Sequence, residues 1–294
     1  MPELPEVETI RSQLAPALAG RRFVAVRIDD ARLTRPEGPA AVAAELVDEV
    51  VRDVRRRGKY LIFEFASGRH LLVHLRMTGS FQHPAAVRAD PHRRASITLD
   101  DGSEVAYRDI RRFGTWTVLE PGELHDYLAA RIGGEPLERA FTTAAFRRAL
   151  AGRRTPIKAA LLDQRAVAGV GNIYADEALW RARIHPQRPA GELDADEVSA
   201  LRRAVRKALE LGIARRGATL RDYRDAGGSS GRMQLEFQVY GREGEPCPRC
   251  GTPIEKIRAA GRGTWFCPSC QQLTPSRSRD SERRTGRGPG RRAR

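Results

Sequence analysis

Two stretches of this 294-residue chain carry residues whose types and spacing suit chemistry. At the start, MPELPE places Pro2 directly behind the initiator Met, with Glu3 and Glu6 beside it. Pro2 is small, so removal of Met1 is expected, and that exposes a secondary amine. An α-amino group titrates near about 7.7–8.0, so a useful fraction is unprotonated at neutral pH. Such an amine attacks an aldehyde-like carbon and forms an iminium, by the covalent logic of Schiff-base lysines. Glu3 and Glu6 could donate and accept protons beside it. The same acids have a plainer use, because glutamates in a first helical turn complement the helix dipole.

Near the other end, Cys247-Pro-Arg-Cys250 and Cys267-Pro-Ser-Cys270 stand 16 residues apart, and the chain has no other cysteine. This is the spacing of a four-thiolate zinc site, in which each CxxC turn aims two sulfurs at one tetrahedral ion. Two disulfides or a redox pair are the alternatives. Neither suits a chain expected in the cytoplasm and lacking a thioredoxin-like βαβ pattern. Four protein ligands leave no open position, so one structural Zn2+ is expected to hold a hairpin rather than to react. The intervening loop carries Lys256, Arg258 and Arg262 toward a partner.

The charge names the class of that partner. The formal net charge is +15 and the pI about 10.6. Residues 271–294 hold eight Arg against Asp280 and Glu282, a net of +6, which leaves +9 for the rest. A basic body as well as a basic tail points to a polyanion, most simply nucleic acid. No stretch approaches the ~18 apolar residues of a membrane span. The acidic start is also unlike a signal peptide. A cytoplasmic protein is expected.

Elements must hold these groups in place. Val7, Ile10, Leu14 and Leu18 are spaced as on one helix face, which predicts a helix from Leu4 to Leu18 with Pro5 in its first turn. Residues 22–119 read as β: KYLIFEFA turns through Ser67-Gly68 into HLLVHL, and RASITLD turns through Asp101-Gly102 into EVAYRD. Short strands joined by such turns predict an antiparallel β-sandwich. PGELHDYLAARIGGEPLE reads as a short helix and a linker, and 142–224 as helical. Within it, 194–211 has acids first, basic residues later and Gly212 as a stop. From Met233, LEFQVYG and the cysteine segment read as β. The class is α+β, with a cleft expected between two basic domains.

Several segments together resemble the formamidopyrimidine-DNA glycosylase family, whose sister group is endonuclease VIII. They are MPELPEVET, RRGKYLIFE, HLRMTG, RRFG, LLDQRAVAGVGNIYADEALW, QVYGREGEPC and the terminal CxxC pair, in the family's order to about residue 271. Leu4 resembles the formamidopyrimidine branch, since endonuclease VIII typically has Gly there. The resemblance implies an N-terminal β-sandwich catalytic domain flanked by helices (1–132) and a helix-two-turn-helix DNA-binding domain (133–232). It implies further a β-hairpin zinc finger (233–271). The tail (272–294) lies outside the resemblance, and its Arg/Gly/Ser/Pro composition predicts a disordered basic arm.

The implied activity is that of a bifunctional DNA glycosylase and AP lyase of base excision repair. It removes 8-oxoguanine and formamidopyrimidines through an N-terminal proline Schiff base and cuts the strand by β,δ-elimination. The alternatives are an endonuclease VIII-like action on oxidised pyrimidines or abasic sites, and a DNA-binding protein that has lost catalysis. Intact Pro2, Glu3, Glu6 and Lys59 argue against the last. By resemblance Glu3 opens the sugar ring, Glu6 supports it, and Lys59 contacts phosphate and the lesion nucleotide. Met77, Arg111 and Phe113 fill the gap left by the flipped base. His74, Asn172, Tyr240 and Arg262 contact phosphate, Asn172 at a glycine-preceded helix start that suits an anion. On their residue types alone, Lys59 and His74 would be surface residues, and Met77 and Phe113 core ones. The loop GGSSGRMQLEF corresponds to one that closes over 8-oxoguanine in many relatives, but has Arg232 and Met233 where they often carry an aromatic pair. The partner implied is double-stranded DNA with oxidised bases, bound in the bacterial nucleoid by a monomer.

Overall fold

The computed structural model describes residues 1–85 and 90–273. The tail expected to be disordered lies outside the described residues from 274 onward. Helix α1 (Leu4–Leu18) follows the apolar spacing, with Val7, Ile10, Leu14 and Leu18 fully buried. It serves two cores. Leu4 packs among the C-terminal helices, whereas Val7, Ile10 and Leu14 pack into the β half. Residues 2–6 are thereby set at the seam between the halves.

The β half contains β1 (Phe23–Ile28), α2 (Pro39–Leu46), β2 (Val51–Arg57), β3 (Tyr60–Phe65), β4 (His70–His74), β5 (Ser80–Gln82), β6 (Arg93–Leu99), β7 (Glu104–Arg108) and β8 (Thr115–Leu119). The strands form two antiparallel sheets, ordered β1-β6-β7-β5 and β2-β3-β4-β8. Phe23, Phe63, Phe65, Phe81, Tyr107 and Trp116 fill the space between them. This is the expected sandwich. The β reading of 22–119 nevertheless missed α2, and periodicity did not reveal β2. In VRDVRRR only Val51 and Val54 are apolar, yet both are fully buried, while Arg52 and Arg55 are exposed.

The C-terminal half holds α3 (Glu123–Ala129), α4 (Thr143–Leu150), α5 (Ile157–Leu162), α6 (Asn172–Ala182) and α7 (Ala195–Ala214). Asp194 and Glu197 form a capping box that starts α7. Gly212 does not stop this helix, which runs on to Ala214. A Cβ at 212 would lie 2.5 Å from the Tyr174 ring, so glycine here lets α7 cross α6 closely. Beyond 214 the expected helix is absent, and the chain runs as turns.

LEFQVYG is not a strand either. Met233–Glu236 is a short 3-10 turn, and the N–H groups of Gln238, Val239 and Tyr240 all donate to one carboxylate oxygen of Glu177, at 2.9, 3.0 and 3.1 Å. Those donors are therefore unavailable to a sheet ladder. The cysteine segment contributes the hairpin β9 (Glu255–Ala259) and β10 (Arg262–Phe266). Among the described residues no helix is long and apolar enough to cross a membrane.

Candidate active site and zinc module

The first N–H groups of a helix lack partners within it and carry the positive end of its dipole. At α6 those groups hold Glu3. Its carboxylate accepts the N–H of Gly171 at 2.7 Å, of Ile173 at 2.9 Å and of Tyr174 at 3.4 Å. At the expected anion site the N–H groups of Gly171, Ile173 and Tyr174 are therefore taken by a carboxylate of the protein itself. Gly171 is required by this approach, since a Cβ there would stand 2.4 Å from the Glu3 carboxyl carbon. Asn172 instead turns its amide to the Gly263 carbonyl at 3.1 Å.

Glu6 lies one turn further along α1. It accepts the Glu3 N–H at 2.8 Å, and also the Tyr174 hydroxyl and the Ala218 N–H, each at 2.8 Å. Burial, reinforced by the negative charge of Glu3, pushes its carboxyl above the ordinary glutamate range. Two adjacent carboxylates thus stand in different hydrogen-bonding environments.

Lys59 lies in the β2–β3 turn and is buried, not an exposed hairpin lysine. Burial lowers its pKa, with Arg262 adding to the effect and Glu3 and Glu6 opposing it. The turn is clamped by Glu135, which accepts the Gly58 N–H at 2.8 Å and binds Arg56 at 2.9 Å.

His74, across the strand pair from Tyr60, is buried too. Its Nδ1 accepts the Arg76 N–H at 3.0 Å, and burial beside Arg76 and Lys59 pushes its pKa down to about 3. The imidazole is neutral at working pH, so it can offer a phosphate an N–H but no charge. A stability consequence follows. Below about pH 6.5 the unfolded chain binds a proton that the folded protein refuses, so stability present above that pH is lost as pH falls. Between pH 7.5 and 5 this costs ~2 kcal/mol. Urea melts of His74→Gln should show a pH dependence smaller by that amount, and an identical dependence would contradict the neutral, buried histidine.

Of these groups, Glu6 borders a cleft of about 380 Å³ lined also by Pro2, Met77, Arg111, Tyr223 and Tyr240, among others, whereas His74 does not line it. A second compartment of about 240 Å³ is bordered by Glu3, Lys59, Met77, Asn172, Tyr240 and Arg262. Met1 lines both. Met77 and Phe113 are not core residues. Phe113 is 50% exposed, with the Arg111 guanidinium 4.8 Å above its ring, and Met77 is half-buried at the cleft. Residues 218 and 220–223 line the larger compartment, whereas Met233 of the departing loop is buried in the helical core.

At the far end of α6 the four cysteine sulfurs lie within 4.8 Å of one another. Cys250 Sγ is 3.5 Å from both Cys267 and Cys270, and Trp180 Nε1 donates to Cys247 at 3.4 Å. Four sulfurs about 2.3 Å from a tetrahedral zinc stand roughly 3.8 Å apart, so the donor set fits one structural zinc.

Three family descriptions match the chain in order. They are the formamidopyrimidine-DNA glycosylase N-terminal domain over residues 1–116, the formamidopyrimidine-DNA glycosylase H2TH domain over 132–224, and the zinc finger found in FPG and IleRS over 244–273. The formamidopyrimidine-DNA glycosylase of Symbiobacterium thermophilum is 48% identical over 96% of this chain and 95% of its own. The chain belongs to the formamidopyrimidine-DNA glycosylase family.

The glycosylase of Herpetosiphon aurantiacus is 46% identical, with 92% of this chain and all of that one covered. Among solved members, a mutant of the Lactococcus lactis enzyme in complex with Fapy-dG DNA aligns at TM-score 0.86 and 38% identity, over 92% of this chain and 100% of that one. The Thermus thermophilus enzyme aligns at 0.83 and 43%, over 93% and 100%.

Some residues at this glycosylase-family site escaped the sequence reading. Tyr174 and Gly171 lie in the GVGNIYADE motif, where only Asn172 was singled out. Their use depends on a carboxylate 168 or more residues away. Arg221, Asp222 and Tyr223 follow α7 with no periodic signal at all.

Lys158 of α5 and Asp176 of α6 form a buried ion pair at 2.7 Å, against which the zinc finger packs. The pair is completed by the Gly263 carbonyl, the Thr264 hydroxyl and the Trp265 N–H of β10. Structural zinc sites contribute folding free energy directly. Cys250→Ser is therefore expected to lose zinc and to leave the pair without its hairpin partners. DNA affinity should fall tenfold or more, by ~1.4 kcal/mol or more. Metal analysis with fluorescence anisotropy checks this, and unchanged affinity of the metal-free protein would remove the finger from DNA binding.

Proposed function

We propose that this chain is a bifunctional DNA glycosylase and AP lyase of base excision repair that removes oxidised purines from double-stranded DNA. The observation that carries the reading is the convergence of Pro2, Glu3, Glu6 and Lys59 on one cleft at the seam between two halves of a basic protein. Relatives solved with Fapy-dG DNA and with carbocyclic 8-oxoguanine DNA support the substrate class.

In this reading Met1 is removed and the Pro2 nitrogen attacks C1′ of the flipped nucleotide. The C1′–base bond breaks and the base leaves with a proton. Glu3 protonates the ring oxygen as the sugar opens, giving an iminium at C1′. Loss of a C2′ proton expels the 3′ phosphate, and a second elimination expels the 5′ phosphate. Glu6, with its raised pKa, keeps Glu3 in place and exchanges protons with it. Lys59 holds the lesion's phosphate, while Met77, Arg111 and Phe113 enter the duplex. His74, Asn172, Tyr240 and Arg262 fix the strand. When bound, zinc supplies only the fold of the finger.

Residues 1–132 would thus carry the chemistry, with 133–232 and 233–271 gripping the DNA. A monomer acting on the chromosome in the bacterial cytoplasm fits this division. The test is borohydride trapping on a duplex with 8-oxoguanine opposite cytosine, followed by mass mapping. An adduct on an N-terminal Pro2 is expected. An adduct only with abasic DNA would discard the purine substrate and retain the lyase. No adduct on either would leave a DNA-binding protein.

A further inference from the structure

The wedge side chains Met77, Arg111 and Phe113 belong to two separate loops, and one buried carboxylate ties these loops together. Asp109 is 1% exposed at the end of β7. Its Oδ1 accepts the Thr78 hydroxyl at 2.5 Å and the Arg111 N–H at 3.2 Å. Its Oδ2 accepts the N–H of Phe113 at 2.9 Å and of Gly114 at 2.8 Å. Thr78 follows Met77 directly, and its hydroxyl oxygen accepts the Arg111 N–H at 2.9 Å. Every loop that presents a wedge side chain is therefore bonded to Asp109, directly or through Thr78.

The surroundings show that this seat is built to one shape. Both loops come down on the Tyr107 hydroxyl. A Cβ at Gly79 would meet it at 2.4 Å, and one at Gly114 at 1.8 Å. From the side, Arg112 is bound by both oxygens of buried Asp30, at 2.6 and 2.8 Å, and Arg94 holds the Asp109 carbonyl at 2.9 Å. Arg112 takes a left-handed conformation, φ 60°, which points it back to Asp30 while its neighbours Arg111 and Phe113 stay exposed. A wedge that must part stacked bases needs a rigid base, because an insertion that bends the loop instead does no work on the duplex.

We propose that Asp109 is the positioning residue that makes the two loops one rigid wedge, so that occupation of the vacated space and reading of the orphaned base are a single event. This inference rests on the wedge role proposed above for Met77, Arg111 and Phe113. It assigns to Asp109 no contact with DNA.

The test uses the full-length, zinc-loaded protein and the variants Asp109→Asn and Thr78→Val. Arg111→Ala and Phe113→Ala run in parallel. Asparagine keeps the shape but has one acceptor oxygen where the carboxylate has two, so its NH2 must face either the Phe113 and Gly114 N–H groups or the Thr78–Arg111 side, while valine removes only the link to the Met77 loop. Single-turnover excision is measured from duplexes with 8-oxoguanine opposite cytosine and opposite adenine. A single-stranded abasic oligonucleotide, which leaves no space to fill, is the control.

Asp109→Asn is expected to slow duplex excision roughly tenfold to a hundredfold and to blunt the preference for the opposite base. Cleavage of the single strand should be unchanged. Thr78→Val should move in the same direction by less. Equal losses on duplex and single strand would mark a merely structural residue and overturn the proposal. Unchanged excision by Asp109→Asn, with Arg111→Ala and Phe113→Ala slow, would overturn it and leave the wedge reading standing. If Arg111→Ala and Phe113→Ala are also fast, the wedge reading falls with it.

Discussion

Pro2→Gln is expected to abolish base excision by about a thousandfold or more and to eliminate the borohydride-trapped adduct, whereas Pro2→Ala retains both in reduced form. The difference lies in the amine. A small second residue permits removal of Met1, so alanine still ends in a free α-amino group at the cleft. Glutamine is large, keeps Met1, and places an acylated nitrogen where the nucleophile should be. Met1 borders both compartments of the cleft, so its retention also obstructs them. Pro2 itself is buried, and its peptide is held by the Glu3 N–H on Glu6 at 2.8 Å. Mass spectrometry of the intact variants establishes processing, and trapping on 8-oxoguanine and abasic duplexes establishes the amine. Lys59 is the competing amine, since burial lowers its pKa. A full-strength adduct on Lys59 in Pro2→Gln would transfer the nucleophile to the lysine.

Glu3→Gln carries the second large effect. The carboxylate presents oxygen to every donor around it, the N–H groups of Gly171, Ile173 and Tyr174. Glutamine must turn its NH2 toward at least one of these, setting donor against donor, and it cannot deliver a proton. Loss of a positioned acid costs about a hundredfold to ten-thousandfold, and excision from an 8-oxoguanine duplex should fall in that range. Strand cleavage at a preformed abasic site should fall much less. There no base has to leave, and the sugar already exchanges with its open aldehyde. Rates on the two substrates, measured with the same preparation, give the split. Equal losses on both would make Glu3 a fold residue rather than the acid.

The zinc spacing and the α1 periodicity were legible because each is local. Two CxxC pairs and four apolar residues on one helix face need no knowledge of the rest of the chain. The sandwich was legible from its turns. What stayed hidden depends on contacts between distant segments. Glu177 converts residues 238–240 from an expected strand into a loop by taking three N–H groups onto one oxygen. Gly212 reads as a helix stop until Tyr174 is packed against it. The start of α6 reads as a phosphate site, because nothing nearby in sequence says that Glu3 will fill it. Lys59 and His74 look like surface residues on a hairpin; groups as distant as Glu3, Asn172 and Arg262 surround the first, and Tyr60 and strand β8 flank the second.

Helix α6 has eleven residues, a rod about 16 Å long. One tip grips the Glu3 carboxylate, and near the other the Trp180 indole rests on a cysteine sulfur. Asp176 and Glu177 bolt the shaft between them to β10 and to residues 238–240. A regular helix is stiff along its axis, so the Glu3 carboxylate and the cysteine knuckle sit at two ends of one lever. Tilting the knuckle end swings the cradle of N–H groups beneath Glu3. On the role proposed for Glu3, folding of the finger around its metal would therefore act on the reacting sugar only through the alignment of this rod.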